Sequence, residues 1–169
     1  MARSVSMTFG EEGGTGLSTL RGREYPGVRQ FSIFLENRVG ALLDLVRRLE
    51  AANNRIVAMS VVDSADCAVI RMILSDPERA VETLKQAKLP FIECDLLLVQ
   101  LPQGKSPVGM ICKALLGAEI NIHYAYPLLV GSASHRPVLA LHIDSHETAH
   151  QVLSQQGFTV LSENDLEAD

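Results

Sequence analysis

The turn between the first predicted strand and the first predicted helix carries residues suited to binding a small ligand. It reads Leu35-Glu36-Asn37-Arg38-Val39-Gly40-Ala41-Leu42. Gly40 lets the backbone pass close to a ligand or to the sheet. The amides after it lie at the positive end of the helix dipole, which favours a carboxylate. The turn therefore predicts an anion site to which Asn37 adds a polar group. In the alternative, Asn37 only caps the helix and Gly40 only relieves a tight turn.

A second pattern with possible chemistry is the segment 146–150, which reads H-E-T-A-H and matches the H-E-x-x-H motif of zinc proteases. Two histidines one helical turn apart can bind one metal ion, with the glutamate as general base. A third ligand would have to come from Glu163 or Asp165, close to the end of the sequence. Glu147 also stands where an acid favours the start of a helix. We therefore expect a solvated helix face and no metal site, with adventitious surface metal binding and a zinc enzyme as the alternatives.

Aromatic and polar residues alternate over His123-Tyr124-Ala125-Tyr126 on a predicted strand. Alternation places Tyr124 and Tyr126 on one face and His123 and Ala125 on the other. Packing between layers is the simpler interpretation, and a ligand pocket lined by a tyrosine or by His123 is the alternative. The small residues at 131–135 predict a loop, and no Gly-x-Ser-x-Gly motif accompanies them. We therefore expect no catalytic residues.

The hydrophobic periodicity predicts the order strand, helix, strand, strand, helix, strand, and then the same order again. The first set has strands over 28–35, 56–62, 68–74 and 91–101 and helices over 41–52 and from 77 to about 88. The second set has strands over 96–101, 120–130, 138–143 and 158–161 and helices from 106–107 to 117 and from 144–145 to about 156. Residues 1–27 predict a flexible N-terminal arm, since they are rich in glycine and show no period.

Three pairs of landmarks, each separated by 69 positions, support an internal repeat. They are Gly40 and Gly109, Asp76-Pro77-Glu78 and Ser145-His146-Glu147, and Leu84 and Leu153. We therefore predict an α+β fold with two ferredoxin-like βαββαβ sandwiches in tandem, over 28–95 and 96–169. The run 91–101 predicts that the last strand of the first unit passes directly into the first strand of the second.

Residues 32–42, which read S-I-F-L-E-N-R-V-G-A-L, resemble the opening of an ACT domain. That family has Asp or Asn, two residues, Gly, one residue and Leu between its first strand and first helix, and Asn37, Gly40 and Leu42 match these positions. The polar turns at 54–56 and 121–122 are also similar. The resemblance spans about residues 28–166 and is closest to stand-alone bacterial tandem-ACT proteins. It implies amino-acid binding at domain interfaces, and regulation rather than catalysis.

The second unit departs from this pattern in its loop over 101–110. Ser106 stands in place of Asp or Asn, Met110 replaces the small residue after Gly109, and Ile111 replaces Leu. We therefore expect the second unit to serve mainly as a wall of the first site. The expected ligand-binding residues are Asn37, Arg38, Val39, Gly40, Ala41, Leu42, Ser106, Val108 and Gly109.

Composition limits the remaining functions. A formal charge of −5 without a Lys/Arg run argues against nucleic acid, and no apolar stretch reaches the length of a membrane span. The three cysteines are an odd number without C-x-x-C spacing, which favours reduced thiols in the cytoplasm. We expect a non-enzymatic homodimer without cofactor that senses a free amino acid. The alternative is an accessory subunit of an amino-acid biosynthetic enzyme, similar to the small subunit of acetolactate synthase.

Overall fold

The computed structural model describes residues 25–63, 67–129 and 136–166. The predicted arm up to residue 24 and the predicted loop at 131–135 lie outside this part. The strands are β1 (Val28–Glu36), β2 (Ile56–Asp63), β3 (Cys67–Leu74), β4 (Phe91–Gln100), β5 (Ile122–Pro127), β6 (Val138–Ile143) and β7 (Val160–Leu161). The helices are α1 (Ala41–Ala51), α2 (Pro77–Gln86), α3 (Pro107–Gly117) and α4 (His146–Gln155), and a short 3-10 helix follows at Glu163–Leu166.

The strands form one antiparallel sheet in the order β2-β3-β1-β4-β6-β5, with β7 also paired to β4. The first four strands of the chain have the spatial order β4-β1-β3-β2, and the second set has the order β7-β4-β6-β5. Each set carries two helices in the places that the periodicity predicts. The α+β fold of two ferredoxin-like βαββαβ units is therefore confirmed.

β4 belongs to both units. Its first half pairs with β1 as far as Leu96, which lies opposite Val28. Its second half pairs with β6 from Leu97, which lies opposite Leu141, and with β7. A single apolar strand therefore closes the first sheet and opens the second, without a linker between them.

The two units repeat with an offset of 66 residues in their first halves and 69 residues in their second halves. The first helices begin at Ala41 and Pro107, and the second helices begin at Pro77 and His146. The change falls between the second and third strands of each unit. The connection from β5 to β6 is longer than the connection from β2 to β3, so the extra residues accumulate there.

The predicted equivalence of Gly40 and Gly109 is therefore wrong. Gly40 immediately precedes α1, whereas Ser106 immediately precedes α3 and Gly109 is the third residue of that helix. Leu84 and Leu153, from the later half of each repeat, do occupy equivalent places and are both fully buried. The spacing of 69 applies only after the longer β5–β6 connection. Gly40 and Gly109 both precede that connection in their units, so their spacing of 69 is a coincidence.

Three apolar cores follow from this architecture. One lies between the first sheet and its helices and contains Phe31, Ile33, Leu45, Leu49, Met72 and Leu84. A second lies between the second sheet and its helices and contains Leu97, Val99, Ile111, Leu115, Leu141 and Leu153. A third joins the helix-free faces of both units and contains Val28, Val57, Ile73, Leu98, Tyr126 and Ala140. Burial of apolar area on both sides of the sheet stabilises the pair of units as one body.

The two outer edges of the sheet meet. Ala58 of β2 forms an isolated bridge with Leu128, and the Leu129 amide donates to the Val57 carbonyl at 2.9 Å. The edge that β2 would otherwise present is thus partly paired within the chain. In the described part of the chain, no helix is long and apolar enough to cross a membrane.

Candidate functional site

Gly40 has a left-handed backbone, with φ of +88° and ψ of −12°, at the N-cap of α1. A Cβ atom added there would meet no atom within 4 Å. Glycine is therefore required by the backbone conformation and not by close packing within the chain. This conformation turns the chain sharply from β1 into the helix.

Asn37 does not cap the helix. Its Nδ2 donates to Asp63 Oδ1 at 2.8 Å, and α1 has no side-chain hydrogen bond at its N-cap. The capping alternative for Asn37 is therefore wrong. Asn37 instead ties the turn to the end of β2, which leaves the first amides of the helix without a side-chain partner.

Some backbone amides of the turn donate hydrogen bonds within the chain, and others have no partner. The Arg38 amide donates to Glu36 O at 2.8 Å, and the Ala41 amide donates to Arg38 O at 3.2 Å. The amides of Val39, Gly40 and Leu42 have no hydrogen-bond partner among the described residues. They lie where the helix dipole is positive, so the turn offers donors to an anion.

An open cleft of about 560 Å³ lies beside the turn. Its lining comes from the end of β1, the start of β3, α1 and the connection from α2 to β4. The residues are Phe34, Leu35, Glu36, Arg38, Ala41, Asp44, Leu45, Arg48, Cys67, Ala87, Lys88, Leu89 and Pro90. Apolar groups and charges of both signs therefore surround one space, which matches a ligand with a zwitterionic head and an apolar part.

Arg38 is held between two carboxylates at the mouth of the cleft. Its Nε lies 3.7 Å from Glu36 Oε2, and its Nη2 lies 3.4 Å from Asp44 Oδ2. All three side chains are more than half exposed, so the pairs are weak and solvent-screened. Arg38 can therefore turn to another carboxylate at little cost.

The expected residues of the second unit lie elsewhere. Every described residue that lines the cleft belongs to the first unit, between Phe34 and Pro90. Ser106 and Val108 stand at the start of α3, and a Cβ on Gly109 would come within 2.5 Å of Ser106 Oγ. Within one chain, the second unit therefore does not form the wall that the sequence led us to expect.

Lys88 and Arg48 are cleft residues that sequence reasoning missed. Lys88 has a positive φ of 54° at the end of α2, in the place that Gly157 occupies after α4. Pro90 two residues later predicted the end of the helix, but no sequence signal indicated that this connection lines the same cleft as α1.

The His146 side chain contacts Asp95 and Tyr25 rather than His150. Its Nε2 lies 2.9 Å from the Asp95 carbonyl oxygen, and its ring stacks on Tyr25 at 5.6 Å between centroids. No group of three or more metal-ligating side chains is present in the described ranges. The helix-start acid Glu147 is exposed, as expected for a residue at the positive end of a helix.

Fully buried Gln30 was also missed, and it links the two units. Its Nε2 donates to Tyr124 Oη at 2.8 Å and to Cys94 Sγ at 3.1 Å, and its Oε1 accepts from Tyr126 Oη at 2.7 Å. Burial raises the pKa of Tyr126, so its hydroxyl remains a donor. The predicted common face of Tyr124 and Tyr126 is thus the face between the units.

These features define a protein built from two ferredoxin-like units that share one strand, with an open cleft beside the first helix. The model of the ACT domain pair family matches residues 27–168, and the chain belongs to that family. No curated protein matches the chain.

Solved structures share the fold. Protein BT0572 from Bacteroides thetaiotaomicron is 23% identical with a TM-score of 0.77, over 86% of this chain and 99% of that one. The ligand-free regulatory subunit of aspartate kinase from Thermus thermophilus is 12% identical with a TM-score of 0.54, over 78% and 93%. The regulatory subunit of aspartate kinase from Thermus flavus is 13% identical with a TM-score of 0.53, over the same shares.

Proposed function

We propose that this protein senses a free amino acid at the turn formed by residues 37–42. The observation that carries the proposal is the set of free amides at Val39, Gly40 and Leu42, in a turn whose Arg38 and Ala41 line a cleft with charges of both signs. An α-carboxylate accepts hydrogen bonds from these amides at the positive end of α1. Membership of the ACT domain pair family supports a regulatory role without catalysis.

The charges around the cleft suit the rest of an amino acid. Arg38 supplies a second, charge-assisted donor for the carboxylate. Glu36 and Asp44 offer acceptors for the α-ammonium group, since both line the same space. The side chain of the ligand then lies toward Phe34, Leu45 and the α2–β4 connection. Their mainly apolar surface favours an uncharged side chain.

A second copy of the chain completes the site in this proposal. Val39, in the turn, is fully exposed, and Leu43, in the first turn of α1, is half exposed. Apolar side chains placed there are suited to burial against a partner subunit. A homodimer would close the cleft from outside, so ligand binding and subunit contact would be coupled. A coupling free energy of about 1–3 kcal/mol is ordinary for such a switch.

The second candidate function is that of an accessory subunit for an amino-acid biosynthetic enzyme. The start of α3 presents Val108 and Met110 to solvent, and Leu116 is exposed at the other end of the helix. A helix with this surface is suited to protein contact. The three free cysteines suit a reducing compartment such as the cytoplasm, where such an enzyme would be found. Recovery of one biosynthetic enzyme by the tagged protein would support this role.

Titration calorimetry with each of the proteinogenic amino acids tests the sensor proposal. We expect saturable heat for one amino acid or for one chemically related group. Arg38→Gln should weaken that binding about tenfold, because a charge-assisted hydrogen bond is lost. Arg47→Gln makes the same change in charge on an exposed part of α1 outside the cleft lining and should bind normally. Absence of heat and of a thermal shift for every amino acid would contradict the proposal.

A further inference from the structure

A second group of polar residues lies where the helix-free faces of the two units meet, away from the cleft. The guanidinium carbon of Arg71 lies 4.1 Å from the ring centroid of Tyr124. The His142 ring stacks on the same tyrosine at 4.7 Å, with an interplanar angle of 11°. His123 lies 5.1 Å from His142, and His146 lies 6.5 Å from it. We call Arg71, Tyr124, His142, His123 and His146 the inter-unit cluster.

The strand registers explain how the cluster forms. Arg71 on β3 lies opposite Ser32 on β1 and Ser60 on β2, so the three residues share one face of the first sheet. Tyr124 on β5 lies opposite His142 on β6 in the second sheet. The packing of the two helix-free faces brings these rows together.

A β-bulge adds His123 to the cluster. Alternation predicts that His123 points away from Tyr124, but the register of β5 shifts between Ile122 and Tyr124. The bulge brings the His123 ring beside His142, so the predicted opposite placement is wrong. His123 is exposed, and Arg71, Tyr124 and His142 are half-buried, so a small molecule has access to the cluster from solvent.

Two polar atoms of the cluster lack partners. Arg71 Nε and His142 Nδ1 are buried and have no hydrogen bond in the described part of the protein. A buried polar group without a partner is unfavourable, and more so when it is charged. Among the described residues, Arg71 has no ion pair with a carboxylate. The first sheet thus places a cation between the units without a counter-charge.

His142 lies among groups that disfavour a positive charge on its ring. Burial lowers the pKa of His142, and His123, His146 and Arg71 lower it further. An anion placed here would relieve the repulsion between these groups and provide an acceptor for Arg71.

We propose that the inter-unit cluster is a second binding site, which takes a small oxyanion carrying a carboxylate or phosphate group. Arg71 provides the planar donor fork that such groups accept. His142 and His123 add imidazole donors, and Ser32 and Ser60 occupy the strand positions on either side of Arg71. The site draws on strands of both units, so its occupation would stabilise their packing. It uses none of the residues of the turn at 37–42 and does not depend on the amino-acid proposal.

Heteronuclear NMR of the full chain tests this site with inorganic phosphate and with acetate, each titrated at constant ionic strength against chloride. We expect saturable shifts of the His142 and His123 ring resonances and of the Arg71 Nε–H resonance with at least one probe. The probe that produces them identifies the class of oxyanion. Arg71→Gln should weaken this binding about tenfold or more, since the charge-assisted hydrogen bonds are removed.

Three further variants separate binding from structure. Arg71→Lys keeps the charge and the fold but loses the fork, so it should bind more weakly than the wild type and more tightly than Arg71→Gln. Arg47→Gln and Arg38→Gln should bind the oxyanion normally. If neither probe produces saturable shifts, the cluster is only a packing contact and the proposal is overturned. Equal shifts in Arg71→Gln and Arg47→Gln would likewise overturn it, since they would report ionic screening.

Discussion

At the scale of single residues, the turn depends on the left-handed conformation of Gly40 and on the side chain of Asn37, which does not cap the helix. Gly40 sets the left-handed bend, and Asn37 binds Asp63 and not the helix. The type and spacing of these residues predicted an anion-binding turn. They did not predict the partner of Asn37, because Asp63 lies far along the chain and only strand pairing brings it near.

Substitution of Gly40 by alanine should lower the free energy of unfolding by about 1–2 kcal/mol, because an L-residue is strained at φ of +88°. The added methyl group meets no atom within 4 Å, so the effect comes from the backbone alone. Urea denaturation of both proteins measures it.

Gly117 is the matched control for this prediction. It ends α3 and also has open space around a new Cβ, but its φ is not positive. Gly117→Ala should be neutral or stabilising by up to about 1 kcal/mol, since alanine favours a helix. Equal destabilisation by both substitutions would contradict the conformational role of Gly40.

At the scale of elements, periodicity predicted the order and type of every helix and strand from Val28 to Leu161. Apolar spacing on a helix and alternation on a strand are local, so the sequence carries them directly. The extents of the strands were less predictable. The observed β5 is Ile122–Pro127 and the observed β7 is only Val160–Leu161, both shorter than expected, because pairing partners decide where a strand ends.

The repeat shows why the site of the second unit could not be read from the first. Matching bulges occur at Ile56/Ala58 and at Ile122/Tyr124, which are 66 positions apart, whereas the second helices are 69 apart. A single offset therefore aligned Gly109 with Gly40, although Ser106 holds the equivalent place before α3. The length of a surface loop carries no periodic signal, so the sequence could not reveal where the offset changes.

At the scale of the whole molecule, the least predictable feature is the contact between the two units. Each unit alone exposes the helix-free face of its sheet, and the third apolar core covers both faces. Buried Gln30 and the half-buried Arg71 lie at this contact, on strands whose pattern predicts only alternation. The tyrosines that they contact come from the other unit, so local sequence could not identify their roles.

The contact between the units should make stability depend on pH. Burial and neighbouring cations lower the pKa of His142 in the folded state, whereas an unfolded histidine titrates near pH 6.5. As the pH falls below about 6.5, the unfolded state binds the proton first, so the free energy of unfolding decreases. Because His142 is partly solvated, the loss should be modest.

Denaturation at a series of pH values checks this direction. His142→Gln should reduce the loss of stability between about pH 6.5 and pH 5. His150→Gln changes a histidine of α4 that is not part of the inter-unit cluster and should leave the loss in place. Inorganic phosphate should offset part of the loss in the wild type if the inter-unit cluster binds an oxyanion. A loss that is unchanged in His142→Gln would show that another group causes it.

The central claim is that the free amides of the turn receive the carboxylate of an amino acid. Backbone amide NMR during titration with the amino acid identified by calorimetry measures this directly. We expect the largest shifts at Val39, Gly40 and Leu42, downfield as each amide gains a hydrogen bond, and little change at Ser106 and Gly109. Saturable binding whose shifts cluster elsewhere and leave these three amides unmoved would contradict the claim.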